Sequence, residues 1–183
     1  RISLPGSNMR HVVSSPDATK AWVSDMGLNA VYEVELDRFA IVSTLRTSIN
    51  PNTIDLTPDG RWLFASTRGP NNPKSYLLRS LKPGRLEVFD LATRERVLSV
   101  EGGTQPTGLD VSPDGKYVIG SGKLQGVTTA FNWEKVQTAI RNKDFTGDED
   151  GIPVLKYELI KDAEVQVGLG PLHTQFGPGD MAY

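Results

Sequence analysis

The sequence predicts an all-β fold, a segment of a β-propeller, and three observations carry that reading. A proline-centred turn returns at Pro16, Pro58, Pro113 and Pro178. An aromatic residue, Trp22, Trp62 or Tyr117, recurs in the strand-like run after each of the first three turns. Gly at 18 and Pro at 12 are plentiful in a chain whose apolar runs are all short, which is the composition of many turns joining short strands. A repeat of about 40 residues marks propellers and solenoids, in which each repeat is one supersecondary unit.

Residues 10–24, 52–66 and 107–121 are three copies of one unit, and a fourth copy starts at Leu172 and runs to Tyr183. In each copy an apolar strand leads into a Ser/Thr-Pro-Asp-Gly-type turn, in which Pro presets φ and Gly takes the positive φ, and a second strand follows. Each copy is therefore expected to be a β-hairpin. Two more strand-like runs follow the first two hairpins, residues 30–36 with 40–45 and residues 85–90 with 96–100. Four strands per repeat make one propeller blade.

The turn prolines are 42, 55 and 65 residues apart, so the base period is 42 and the later repeats carry insertions. The excess in the second repeat falls at residues 69–84, expected as a protruding loop and a contact surface. The excess in the third falls at residues 133–141, where Asn132 is expected to cap a short helix with Val136 and Ile140 on one face. The acidic stretch 147–151 follows, expected as a solvated loop because it lacks the alternating ligand spacing of an EF-hand. The count is about three four-stranded blades plus the first hairpin of a fourth, one incomplete propeller domain over residues 1–183. Single-chain propellers close with roughly four to eight blades. A seven-bladed parent is expected, with further blades or a homo-oligomer completing the ring.

Several function classes are set aside. Lys+Arg at 20 nearly balance Asp+Glu at 22 with no basic stripe, so no nucleic-acid partner is expected. No apolar run approaches the roughly 20 residues of a membrane span. The absence of cysteine excludes a disulfide framework, Fe–S ligation and a cysteine nucleophile. No Gly-rich phosphate loop or Ser/His/Asp order stands out.

Chemistry in a propeller belongs near the axis, where the innermost strand of each blade begins. The residues six and five places before each turn proline form that ring: Arg10/His11, Asn52/Thr53, Thr107/Gly108 and Leu172/His173. Both histidines of the chain fall on it, and neutral imidazole suits copper and zinc. Standing in blades that are not adjacent, they are expected too far apart to share one ion and to line the channel instead. Asp110 has a cation-binding side chain, but Asp55 holds the same repeat position, which points to a structural role in the strand. Trp22, Trp62 and Tyr117, taken as one position of the repeat, are expected to pack between blades.

Two resemblances add to this. Residues 50–60, 66–73 and 102–110 carry the pattern through which residues 1–106 resemble the YVTN family of β-propeller repeat proteins, mostly exported and rarely assigned a chemistry. Residues 111–124, 142–145, 151–155 and above all 168–174, ending in Gly170-Pro171-Leu172-His173-Thr174, make residues 107–183 resemble nitrous oxide reductase, particularly its Sec-exported branch. That resemblance implies a periplasmic or extracellular copper oxidoreductase that reduces nitrous oxide to dinitrogen. It implies that His173 is a ligand of a sulfide-bridged copper cluster on the propeller axis, that Asp110 is offered to calcium, and that electrons arrive from a separate copper domain. The family pattern also has a histidine in a Pro-His-Gly motif where this chain has Pro106-Thr107-Gly108, so the chain alone is expected to be inactive. The alternative is a non-catalytic, exported YVTN-type binding or surface module. A third expectation is a join of two different propellers across residues 109–115, where the resemblance switches.

Overall fold

The computed structural model describes residues 2–70, 74, 75, 78, 82–102 and 106–183. Much of the loop expected at 69–84 therefore lies outside the described residues. The first blade consists of β1 (Met9–Ser14), β2 (Lys20–Asp25), β3 (Ala30–Glu35) and β4 (Ala40–Arg46), paired antiparallel in that order. The second has β5 (Pro51–Leu56), β6 (Trp62–Thr67), β7 (Arg85–Asp90) and β8 (Glu95–Glu101). The third has β9 (Pro106–Val111), β10 (Tyr117–Gly122) and β11 (Val127–Asn132), and takes its fourth strand, β14 (Lys161–Gln166), from beyond an insertion. Residues 172–183 form the short hairpin expected of a fourth blade: Gln175 and Tyr183 exchange backbone hydrogen bonds at 3.1 and 2.9 Å. This is an all-β propeller segment.

The repeated turn has a physical reason. The hydroxyl of Ser15, Thr57 or Ser112 donates to the carboxylate two residues on, Asp17, Asp59 or Asp114, and the same carboxylate accepts the backbone N–H of Thr19, Arg61 or Lys116. The hydrogen bond from Ser112 is the main cause that holds Asp114 down at about 2. Gly60 and Gly115 adopt φ of 69° and 71°, and a Cβ on either would meet the ring of Pro16 or Pro58 at 3.2 Å, so successive turns stack proline on glycine. The first repeat places Ala18 in the same left-handed conformation, at φ 55°.

Two cores hold the blades together. Trp22, Val31 and Leu45 of blade one pack with Ile54, Leu56, Leu63, Ala65 and Phe89 of blade two. Phe64, Leu86, Val88, Leu98 and Val100 of blade two pack with Leu109, Val111, Val118 and Phe131 of blade three. Alternation explains the division: on β6, Leu63 and Ala65 face blade one while Phe64 faces blade three. The aromatic series is not one repeat position, however. Trp62 and Tyr117 open their strands, whereas Trp22 stands two residues into β2 and matches Phe64. A shift of two keeps the face, so Trp22 and Trp62 both still pack towards the following blade.

The insertion in blade three is more ordered than its composition suggests. α1 (Trp133–Asn142) is capped by Asn132, whose side chain accepts the N–H of Lys135 at 3.1 Å, and ends on Lys143 in the left-handed conformation. Val136 and Ala139 are buried beneath it, and Trp133 lies edge-on to Trp62 and Phe64, with ring centroids 5.3 and 4.9 Å away. The acidic stretch is not a plain loop. It is a hairpin, β12 (Gly147–Glu149) with β13 (Ile152–Leu155), turned through Asp150 and Gly151 at positive φ. β13 pairs parallel to β8, Val154 with Ser99 and Leu155 with Val100, and extends blade two to six strands. Apolar residues at the end of this run decided the outcome: Leu155 is fully buried in the core between blades two and three. No helix among the described residues is long and apolar enough to cross a membrane.

Candidate axial site

A ladder of side-chain hydroxyls fixes the inner ends of the blades. Ser24, Ser66 and Ser121 stand eight residues after their turn prolines, and all face the next blade. Ser24 donates to the carbonyl of Asn52 at 2.5 Å, and Ser66 to the carbonyl of Thr107 at 3.3 Å. Ser121 meets the hydroxyl of Thr174 at 3.5 Å. Ser24 and Ser66 also serve their own hairpins, accepting the N–H groups of His11 and Thr53.

Thr107 sits at the junction of three blades. Its carbonyl accepts from Thr53 Oγ1 at 2.5 Å and from Asn52 Nδ2 at 2.9 Å, and its own hydroxyl donates to the carbonyl of Pro171 at 3.2 Å. The side chain is buried and is spent on tacking the Gly-Pro-Leu-His segment to blade three. Gly108 allows that approach, since a Cβ there would lie inside the contact distance of the Leu172 carbonyl.

The segment so held brings His173 to His11. The two rings lie with centroids 6.4 Å apart and planes inclined by 27°. This corrects the expectation that the two histidines are too far apart. Inner strands start at the axis, so opposite positions are separated by the width of the channel and not by the arc of the ring. His173 is exposed and His11 half-buried. The backbone N–H of His11 donates to Ser24 Oγ at 3.0 Å, while His11 Nδ1 is buried with no hydrogen-bond partner. No third His, Cys, Asp or Glu joins them in a metal-holding group among the described residues.

Asp110 lies one strand-turn away, beside Asp55. Asp55 accepts the N–H of Val111 at 2.7 Å and of Leu56 at 2.8 Å. Asp110 is hydrogen-bonded to Asp55 and to the N–H of Phe176. Burial, then the hydrogen bond and charge of Asp55, push Asp110 up to about 7. Equivalent aspartates in successive blades thus each take a main-chain N–H of the following blade.

Of the residues singled out in the sequence, the structure brings together His11 with His173 and Asp55 with Asp110, and ties the Thr107 hydroxyl to the Pro171 carbonyl. The serine ladder carried a signal that went unused, since Ser24, Ser66 and Ser121 recur at one offset.

No protein-family profile matches the chain. It is 40% identical over 116 residues to Antigen Lp49 of Leptospira interrogans, covering 63% of this chain and 25% of that protein. It is 40% identical over 81 residues to the nitrous-oxide reductase of Cupriavidus necator and 36% over 78 residues to that of Ralstonia nicotianae, in each case 43% of this chain and 11% or 10% of the relative. The chain therefore spans a quarter or less of these relatives. Among solved structures it resembles Kuenenia stuttgartiensis hydrazine synthase, with a TM-score of 0.69 at 17% identity over 98% of this chain and 41% of that one, a likeness of fold alone. The resemblance to nitrous-oxide reductase is thus found by comparison too.

Proposed function

We propose that the chain is a propeller segment of the nitrous-oxide-reductase type that binds one copper ion between His173 and His11 and does not reduce nitrous oxide by itself. The observation that carries this is the approach of the two imidazoles to 6.4 Å, with a buried and unpartnered nitrogen on one of them. Two imidazoles this close across the channel offer donors for one copper ion, for which imidazole is suitable. They do not fit a sulfide-bridged cluster, which needs several imidazoles, and the hydroxyl of Thr107 is committed to Pro171. On this reading reduction belongs to a longer, exported assembly that supplies the remaining histidines and the copper domain for electron entry. Residues 107–183 are its reductase-like part and residues 1–106 its YVTN-like part. Calcium at Asp110 enters only through the resemblance.

Copper loading tests it. The expected result is one copper per chain, with nitrogen hyperfine coupling in the spin-resonance spectrum that is lost in His173→Ala and reduced in His11→Ala. Two or more coppers per chain would overturn the single-ion reading. A chain that takes up none supports the second reading, a non-catalytic exported binding module, with which the likeness to Antigen Lp49 is equally consistent.

A further inference from the structure

Away from the axis, blade two holds a feature that the copper reading does not use. A cavity of about 370 Å³ opens between the outer strands of blade two, the β4–β5 connection and the β12–β13 hairpin, a size typical of small-molecule sites. Arg85, Arg96 and Ser99 line it from the sheet, Ser48 from the connection, and Glu149 and Asp150 from the hairpin. Arg96 Nη1 donates to Glu87 at 2.6 Å and to Ser48 Oγ at 3.0 Å, and the fully buried Glu87 also accepts the N–H of Ser48 on both oxygens. Arg85 gives Nε and Nη2 to Glu149 at 3.2 and 3.0 Å, and its Nη1 lies 3.8 Å from Glu101, beyond hydrogen-bond reach.

These contacts leave three polar atoms over. Arg85 Nη1, Arg96 Nε and the hydroxyl of Ser99 are buried without a hydrogen-bond partner, and Ser99 is only 3% exposed. Folded proteins leave few such groups unmade, and each requires an explanation. All three are donors, two sit on guanidinium groups, and all belong to residues that line one cavity. That is the donor set that recognises a carboxylate. Glu149, which pairs with Arg85, and Asp150 supply the opposite charge, and Lys82 also lines the cavity.

We propose that this cavity binds a small zwitterion, a free α-amino acid, with its carboxylate against Arg85, Arg96 and Ser99 and its ammonium at Glu149 and Asp150. The site is independent of the axis, so His173→Ala leaves it unchanged and the two readings fail separately. The test is a thermal-shift screen of the folded 183-residue chain against the twenty common amino acids at millimolar concentration, followed by calorimetry with the best of them. At least one is expected to raise the midpoint and to bind saturably, more tightly than acetate or methylammonium. Ser99→Ala should raise the midpoint of the unliganded chain, because an unpaired hydroxyl is gone, and weaken the amino acid about tenfold or more. That opposition separates a ligand donor from a packing defect. If no amino acid shifts the midpoint, or if Ser99→Ala binds as tightly as the parent, the proposal is overturned.

Discussion

Replacing Asp110 by Asn tests the carboxyl pair that joins the three inner strands. The folded chain holds the Asp110 proton up to about pH 7, against an ordinary value of 3.8, because of burial and then the neighbouring Asp55. Between those values the folded state binds more protons than the unfolded one. This contribution is therefore full below the ordinary value, is lost as pH rises to about 7, and is constant above it. At about 1.4 kcal/mol per pH unit the unscreened difference is about 4 kcal/mol, and water reaching the half-exposed carboxyl reduces it to roughly 1–2 kcal/mol. Asparagine can still donate to Asp55 and accept the N–H of Phe176, but it does not titrate. Urea unfolding of both proteins at about pH 4.5, 6 and 8 should show the Asn variant gaining roughly 1–2 kcal/mol over the parent across that range. Other perturbed carboxylates, such as the buried Glu87, which burial pushes up, and Asp114, act equally in both proteins and cancel. A stability difference that does not change with pH would refute the shared proton.

Ala18→Gly should stabilise the chain by about 0.5–1 kcal/mol in urea, because it relieves a left-handed alanine in the turn that elsewhere carries Gly60 and Gly115. Trp133→Ala should cost about 3–5 kcal/mol, read by the same assay, since it empties the contact with Trp62 and Phe64. Gly108→Ala should destabilise by about 1–3 kcal/mol. It should also move the imidazole NMR resonances of His173 and His11 while leaving those of Trp22 in place, because the added methyl pushes against Leu172.

The hairpins and blades were legible because a turn leaves residue-type marks at fixed offsets: Ser/Thr, Pro, Asp and Gly each answer one local demand of φ or hydrogen bonding. The cap at Asn132 was legible for the same reason. What escaped depended on contacts between repeats. The partner strand of Ile152–Leu155 lies over fifty residues upstream on β8, and nothing local in an acidic stretch announces it. The meeting of His11 with His173 depends on the width of the channel, which no spacing along the chain encodes. Thr107 read as the loss of an imidazole. Its gain, a hydroxyl tied to Pro171, needed the fourth segment in place.

The parallel pairing of β13 with β8 also sets an order of events during synthesis. Blade two has made its own four strands when Glu101 leaves the ribosome, but the outer edge of β8 stays unpaired until Leu155 follows. At translation rates of about 5–20 residues per second that interval is roughly 3–10 seconds. Through it the nascent chain shows an open strand edge, the kind of surface on which chains misassociate. The chaperone demand of this protein should therefore fall in that window, and a synonymous change that slows translation between the two points should lower its soluble yield more than the same slowing elsewhere.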